Sequence, residues 1–295
     1  MKLQIECITK KYENYRAVNN ISYTMTNGIY GLLGVNGAGK TTLMKMLCTL
    51  LKPSSGTIYY DGRDIRELDN EYRKILGYLP QNFGYYPYFT AEQYLMRIAL
   101  LKGLSEKKAI KRIEFLLEKV DLIENKKKKV KTFSGGMIRR LGIAQAMLND
   151  PRILILDEPT AGLDPNERIR FKRLISEISQ EKIVLLSTHI VSDVEDVAND
   201  IMMMKKGRFE FCGSREKLLS NAGISAWKCV INEEKAAQLE RKYKISNVKR
   251  EKELVELTIL SKECPCVEAV QEVITLEDIF LYYFDEMEEK ANDIL

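Results

Sequence analysis

The stretch Gly34-Val35-Asn36-Gly37-Ala38-Gly39-Lys40-Thr41-Thr42 carries the residue types that hold phosphate. Its spacing is G-x-x-x-x-G-K-T, and glycines at those positions let the backbone curl until its N–H groups converge on one anion. An apolar run, Ile29 to Leu33, precedes it, and Thr41 to Leu50 follows with apolar residues at helical spacing. The loop therefore opens a helix, whose N-terminus adds roughly half a positive charge. Lys40 is placed to reach the β- and γ-phosphates, and the Thr41 hydroxyl to bind Mg²⁺. The ligand class is a nucleoside triphosphate. A second constellation is Ile153-Leu154-Ile155-Leu156-Asp157-Glu158-Pro159, an apolar strand that ends in two carboxylates. A strand end is where α/β sheets bind ligands. Asp157 suits a Mg²⁺ holder, usually acting through water, and Glu158 suits a group that orients or deprotonates an attacking water.

Composition bounds what else the chain can do. Its 295 residues contain 46 Lys+Arg, 42 Asp+Glu, one histidine and six cysteines. One imidazole excludes a His-rich zinc centre. At 45% hydrophobic and 30% charged the chain buries a core. No apolar run reaches the roughly 18–20 residues of a membrane span, and the first residues do not read as a signal peptide, so a cytoplasmic protein is expected. Residues 1–214 carry 34 basic and 25 acidic residues, or +9, against 12 and 17, or −5, for 215–295. That asymmetry suggests two regions with different tasks. Among the cysteines only Cys264-Pro265-Cys266 is close-spaced, and it lacks the C-x-x-C of redox and zinc sites. All six are expected to be reduced thiols, most of them buried.

The elements around the two constellations follow from periodicity. Leu3, Ile5 and Cys7 alternate as a half-buried strand, with a second strand over about 20–26 and a third over 57–60. A short strand over 75–79 ends at Pro80-Gln81. Residues 91–120 read as helices broken near Gly103, and 136–148 as another. Ile153–Leu156 and Ile183–Leu186 are continuous apolar runs, typical of central parallel strands, with a helix over about 165–180 between them. The pattern is an α/β core with an inserted helical piece.

Further residues carry a family resemblance. Phe133-Ser134-Gly135-Gly136-Met137, followed by Arg140, resembles the signature of ATP-binding cassette (ABC) ATPases, usually Leu-Ser-Gly-Gly-Gln. Phe133 and Met137 depart from that pattern, while the Ser-Gly-Gly core is intact. Gln81 resembles the Q-loop glutamine that touches Mg²⁺ and the attacking water. Ala161-Gly162-Leu163-Asp164 resembles the D-loop, and Ser187-Thr188-His189 the switch histidine. Tyr12 stands where the family has an aromatic that stacks on adenine, with Tyr15 close by. The resemblance covers residues 1–214. It implies a P-loop NTPase with a RecA-like core, an antiparallel β subdomain and a helical subdomain over about 83–150. Residues 215–295 are then a small α+β accessory region. The implied site binds ATP and Mg²⁺. Glu158, His189 and Gln81 are its catalytic group, and Thr41, Gln81 and Asp157 its metal group. Nucleotide contacts come from Tyr12, Gly34, Asn36 to Thr42, Ser134 to Gly136, and Asp164. One ATP lies between the loop of one domain and Ser134-Gly135-Gly136 of another, so a homodimer or heterodimer is implied.

The resemblance also implies a separate transmembrane permease and no nucleic-acid partner. It points to a peripheral location on the inner face of the membrane. Five aromatics crowd residues 83–89 (Phe83, Tyr85, Tyr86, Tyr88, Phe89). They are either an exposed contact patch in the region that borders the permease groove, or an inward packing cluster. Lys126 to Lys129 read as a solvated turn, or as a contact for anionic lipid. Thr275 to Phe284 resembles the closing helix of bacterial drug and bacitracin-type export ATPases, with Thr275 and Asp278 forming a capping-box-like start. The rival reading is a non-transport ABC ATPase of DNA repair or translation, which usually carries a long coiled-coil insertion or two cassettes.

Overall fold

The computed structural model describes residues 1–251 and 254–284. Two compact units divide the chain, Met1–Phe211 and Cys212–Leu295. In the first, β1 (Leu3–Tyr12) and β2 (Tyr15–Met25) form an antiparallel hairpin with Tyr12 opposite Tyr15 at its turn. The alternation expected of Leu3, Ile5 and Cys7 breaks at Cys7. This residue takes φ 50°, the register slips between Ile5 and Ile8, and Ile8 is buried while Cys7 is exposed. Such a bulge re-aims the strand's faces. The expectation that most cysteines are buried is corrected with it. Only Cys48 and Cys229 are buried, and Cys212, like Cys7, falls on an outward phase of its strand.

β3 (Gly28–Leu33) leads through the phosphate loop into α1 (Lys40–Leu47). β4 (Ser55–Tyr60) and β5 (Arg63–Asp64) complete an antiparallel sheet ordered β2-β1-β4-β5. Two short helices, α2 (Ile65–Leu68) and α3 (Asn70–Lys74), lead to β6 (Leu76–Leu79). The helical subdomain follows as α4 (Ala91–Leu101), α5 (Glu106–Lys119) and α6 (Gly135–Ala146). The chain then returns as β7 (Ile153–Asp157), α7 (Pro165–Ile178), β8 (Ile183–Thr188), β9 (Asp200–Lys205) and β10 (Arg208–Gly213). The main sheet is ordered β10-β9-β3-β8-β7-β6, and β9, β3, β8, β7 and β6 pair in parallel. Every residue of β7 and β8 is buried, which explains their unbroken apolar runs. A core of Leu3, Ile5 and Ile8 with Leu43, Met44, Leu47, Ile153 and Ile155 fills the space between the two sheets.

The second unit contains α8 (Arg215–Ser220), β11 (Ser225–Asn232), α9 (Glu233–Lys242), β12 (Lys244–Glu251), β13 (Leu254–Ser261), β14 (Val270–Glu272) and α10 (Leu276–Phe284). Its antiparallel sheet is ordered β12-β13-β11-β14. Ala236 and Leu239 of α9 join Cys229, Ile231, Leu257 and Ile259 in a separate core. The expected cap of α10 is present: Thr275 Oγ1 accepts from Asp278 N at 3.1 Å, and Asp278 Oδ2 accepts from Thr275 N at 2.9 Å. No helix among the described residues is long and apolar enough to cross a membrane.

One amide helps tie the helical subdomain to β6, the strand that leads to Gln81. Lys102 Nζ donates to Asn149 Oδ1 at 2.6 Å, and Asn149 Nδ2 donates to the carbonyls of Lys74 (2.6 Å) and Leu76 (3.2 Å). Burial pushes the Lys102 ammonium down to about 8 from its ordinary value. A lysine whose folded pKa lies below its unfolded one costs stability while protonated, and the cost is relieved as pH rises from the folded to the unfolded value. Compared with Lys102→Met, the wild-type chain is therefore expected to gain about 2 kcal/mol between pH 8 and pH 10.5, read from paired urea denaturation curves. A constant difference across that range would count against the burial of this charge.

Candidate nucleotide site

The loop 34–41 is shaped by two close backbone approaches. A Cβ on Gly34 would stand 2.4 Å from the Met204 carbonyl oxygen. One on Gly39, at φ 106°, would stand 2.1 Å from the Ala17 carbonyl oxygen. Only glycine fits either position. The curl folds Lys40 back over the loop, where its Nζ donates to Gly34 O (2.6 Å) and Val35 O (3.2 Å) and lies 3.4 Å from Glu158 Oε1. Lys40 is 6% exposed. Burial pulls its ammonium below the ordinary lysine value, and the Glu158 carboxylate opposes that pull. A cleft over the loop is lined by residues 35–42 together with Tyr12, Tyr15, Ala17, Gln81 and Glu158.

The carboxylates are set by β7 and β8, whose register puts Asp157 opposite Ser187. Ser187 Oγ donates to Asp157 Oδ1 at 2.7 Å and accepts from Glu158 N at 2.9 Å. Thr41 Oγ1 donates to the same Asp157 Oδ1 at 3.3 Å. Asp157 is fully buried, and its Oδ2 has no hydrogen-bond partner among the described residues. Glu158 leaves the strand at φ 48°, a left-handed conformation unusual for a glutamate. That turn aims its carboxylate between Lys40 and His189, whose Nδ1 is 2.9 Å from Glu158 Oε2. Tyr12, the loop 34–42, Gln81, Asp157, Glu158 and His189 are thus brought to one place.

The remaining predicted residues form a second group. Ser134 caps α6, with its Oγ accepting from Met137 N at 3.2 Å, and Asp164 caps α7, with Oδ1 accepting from Glu167 N at 2.9 Å. The two helix starts touch: the Glu167 carboxylate lies 3.0 Å from where a Gly136 Cβ would sit, and Arg140 Nε lies 3.4 Å from Glu167 Oε2. Among the described residues, neither Ser134-Gly135-Gly136 nor Asp164 lines the cleft over the phosphate loop.

A phosphate loop on a parallel sheet, two strand-end carboxylates and an adjoining histidine define a P-loop nucleoside triphosphatase. The family profile described as ABC transporter matches residues 18–161. The ABC transporter ATP-binding protein YxlF of Bacillus subtilis is 38% identical over 247 residues, 83% of this chain and 82% of that protein. BcrA, the bacitracin transport ATP-binding protein of Bacillus licheniformis, is 38% identical over 204 residues, 68% of this chain and 66% of its own. A solved ATP-binding subunit of an ABC transporter superposes with a TM-score of 0.68 at 27% identity, covering 76% of this chain and 94% of that one. The chain belongs to the ATP-binding proteins of ABC transporters. It is an ATPase, and its first unit has the ABC cassette architecture.

Sequence reasoning singled out Tyr12 but not Tyr15, which also lines the cleft and whose Oη donates to Gly37 O at 3.2 Å. The signal was available in hairpin pairing, which sets the two tyrosines side by side. It also missed Ser187 as the group that joins the Asp157 carboxylate to the Glu158 backbone N–H. Ser187→Ala would leave the buried Glu158 N–H without its acceptor. The expected loss is about 1–3 kcal/mol of folding stability, measured by urea denaturation. A loss of turnover should accompany it. Wild-type stability in that variant would remove Ser187 from this role.

Proposed function

We propose that this chain is the nucleotide-binding subunit of an exporter, with residues 1–214 as the ATPase domain and 215–295 as an accessory domain. It acts through a separate transmembrane permease, on the inner face of the membrane. The likeness to a bacitracin transport ATP-binding protein supports export. The observation that carries the catalytic reading is the Glu158 carboxylate, held between Lys40 at 3.4 Å and His189 at 2.9 Å. Glu158 orients and deprotonates the attacking water. His189 holds the other carboxylate oxygen and supports charge at the γ-phosphate, while Lys40 and the loop N–H groups bind the β- and γ-phosphates. The unpartnered buried Oδ2 of Asp157 fits a divalent cation, with Thr41, Asp157 and Gln81 as the residues that would hold Mg²⁺. When bound, that ion supplies charge neutralisation at the phosphates. Tyr12 stacks on adenine.

Separation of the signature group from the cleft supports a composite site. Ser134-Gly135-Gly136 and Asp164 of one cassette complete the site of another, so ATP draws two cassettes together. Glu158→Gln should bind ATP, dimerise persistently and lose turnover by roughly 10²–10³-fold, checked by phosphate release and gel filtration. Normal turnover would remove Glu158 from its role.

The aromatic loop serves the permease. Phe83 packs inward on buried Tyr94, with ring centroids 5.9 Å apart, while Tyr86, Tyr88 and Phe89 are 49%, 72% and 39% exposed. The loop is pinned to the segment before the signature by Val130 N donating to Phe89 O and Lys131 N donating to Pro87 O, both at 2.9 Å. Replacing Tyr86 and Phe89 together with alanine should weaken co-purification with the permease from solubilised membranes about tenfold or more, and spare soluble ATPase activity. An insoluble double variant would favour an inward packing role.

A further inference from the structure

We propose that Asp193 is a positioning residue for ATP hydrolysis, a single buried carboxylate that clamps the loop after Glu158 to the loop that carries His189. Asp193 is 1% exposed and lies outside every motif named above. Its Oδ2 accepts from Thr160 Oγ1 at 2.5 Å and from Thr188 Oγ1 at 3.1 Å. Thr160 follows Glu158 by two residues, and Thr188 immediately precedes His189; both are buried. Thr188 Oγ1 in turn accepts from Ile190 N at 3.0 Å, so the backbone on either side of His189 is tied to the same carboxylate. Arg168 extends the clamp. Its Nη1 is 3.7 Å from Asp193 Oδ1, and its Nε donates to the carbonyl of Leu163, inside the Ala161–Asp164 loop.

A buried carboxylate is retained only where its partners compensate desolvation. Here those partners belong to the two segments whose spacing sets the Glu158–His189 contact. That contact stands at 2.9 Å across two different strand ends, and Glu158 is held in a left-handed turn. The ladder between β7 and β8 stops at Asp157 and Ser187, and Ser187 Oγ reaches no further than the N–H of Glu158. Past that point Asp193 is the shared anchor. The inference rests on the reading of Glu158 and His189 as the acting pair, and among the described residues no hydrogen bond or ion pair joins the Asp193 side chain to the phosphate loop.

The test uses the full chain, with ATP turnover and calorimetric ATP affinity measured on the same preparations. Asp193→Ala should lower kcat roughly 10–100-fold, the scale expected when a reacting group is misplaced by about 1 Å, with KM and Kd for ATP held within about threefold. Asp193→Asn keeps an oxygen that can accept both hydroxyls and should recover most of the turnover. In a His189→Ala background, Asp193→Ala should cost much less than it does alone, because both changes remove the same alignment. Unchanged kcat in Asp193→Ala overturns the proposal. So does a loss of ATP affinity in step with turnover, or full additivity with His189→Ala. If Asp193→Ala does not fold, Thr160→Val and Thr188→Val remove the two hydroxyls separately. A kcat loss at constant Kd in these supports the clamp, and wild-type kcat in both overturns it. Glu158→Gln run alongside separates the two levels. Normal turnover there sinks the reading of the catalytic pair, whereas its loss beside normal turnover in Asp193→Ala sinks only the clamp.

Discussion

The site depends on the parallel register of β7 against β8. Pairing Asp157 with Ser187 lets one buried hydroxyl serve two needs at the end of the ladder. It donates to the Asp157 carboxylate and receives the N–H of Glu158, which has left the strand and lost its ladder partner. A slip of one residue would exchange the faces of the whole strand and turn Asp157 away from Thr41. The continuous apolar runs Ile153–Leu156 and Ile183–Leu186, buried on both faces, hold that register firmly enough to carry two carboxylates at its edge.

Lys40 shows the electrostatic side of the same constraint. An ammonium this buried is costly unless paired and hydrogen-bonded. Two loop carbonyls and Glu158 supply those contacts, at the cleft where the loop N–H groups and the start of α1 gather positive potential. Burial pulls the Lys40 ammonium below the ordinary lysine value, and the Glu158 carboxylate opposes that pull. The Glu158 carboxylate and the Lys40 ammonium are therefore coupled. A change at either alters the field at the other, and single substitutions at these two positions are not independent.

How much of this was legible in the sequence followed from how local each determinant is. The phosphate loop, the strand-end acids and the helix caps are short-range patterns, with glycines, a capping residue and apolar runs inside about ten residues of one another. Ser187 and Asp193 were not legible in the same way. Ser187 stands only as a neighbour in the switch-histidine motif, and Asp193 reads as ordinary loop polarity, until tertiary pairing aims them at Glu158 and at Thr160. Cys7 failed for the opposite reason. Period-two alternation assumes a regular strand, and the bulge at φ 50° shifts the phase in mid-strand. The aromatic loop resisted a single reading because it contains both answers. Phe83 faces Tyr94 while Tyr88 faces solvent under Lys131, 5.0 Å from its ring, and a loop has no period that separates the two.

The second group of motif residues obeys its own local logic. The first turn of α6 carries no acid, so its N-terminal N–H groups and dipole lack an anionic side chain of their own. A carboxylate comes from α7, where Glu167 stands 3.0 Å from where a Gly136 Cβ would sit, so a side chain at position 136 would make Glu167 shift. Unopposed, that carboxylate would repel a phosphate arriving at Ser134 and Gly135. Arg140 lies 3.4 Å from it and also donates to the carbonyls of Val120 and Asp121, which fix the guanidinium in place. Glu167 is met by both Arg140 and Arg170, while Arg140 also pairs with Asp121, so the carboxylate beside the α6 N-terminus is flanked by positive charge. Glu167 at the same time fixes the start of α7 through the Asp164 cap. The Arg140–Glu167 ion pair, partly exposed on both sides, joins the signature and D-loop segments. The departure at Met137 leaves this arrangement intact, because the only contact it needs from that position is a backbone N–H to Ser134.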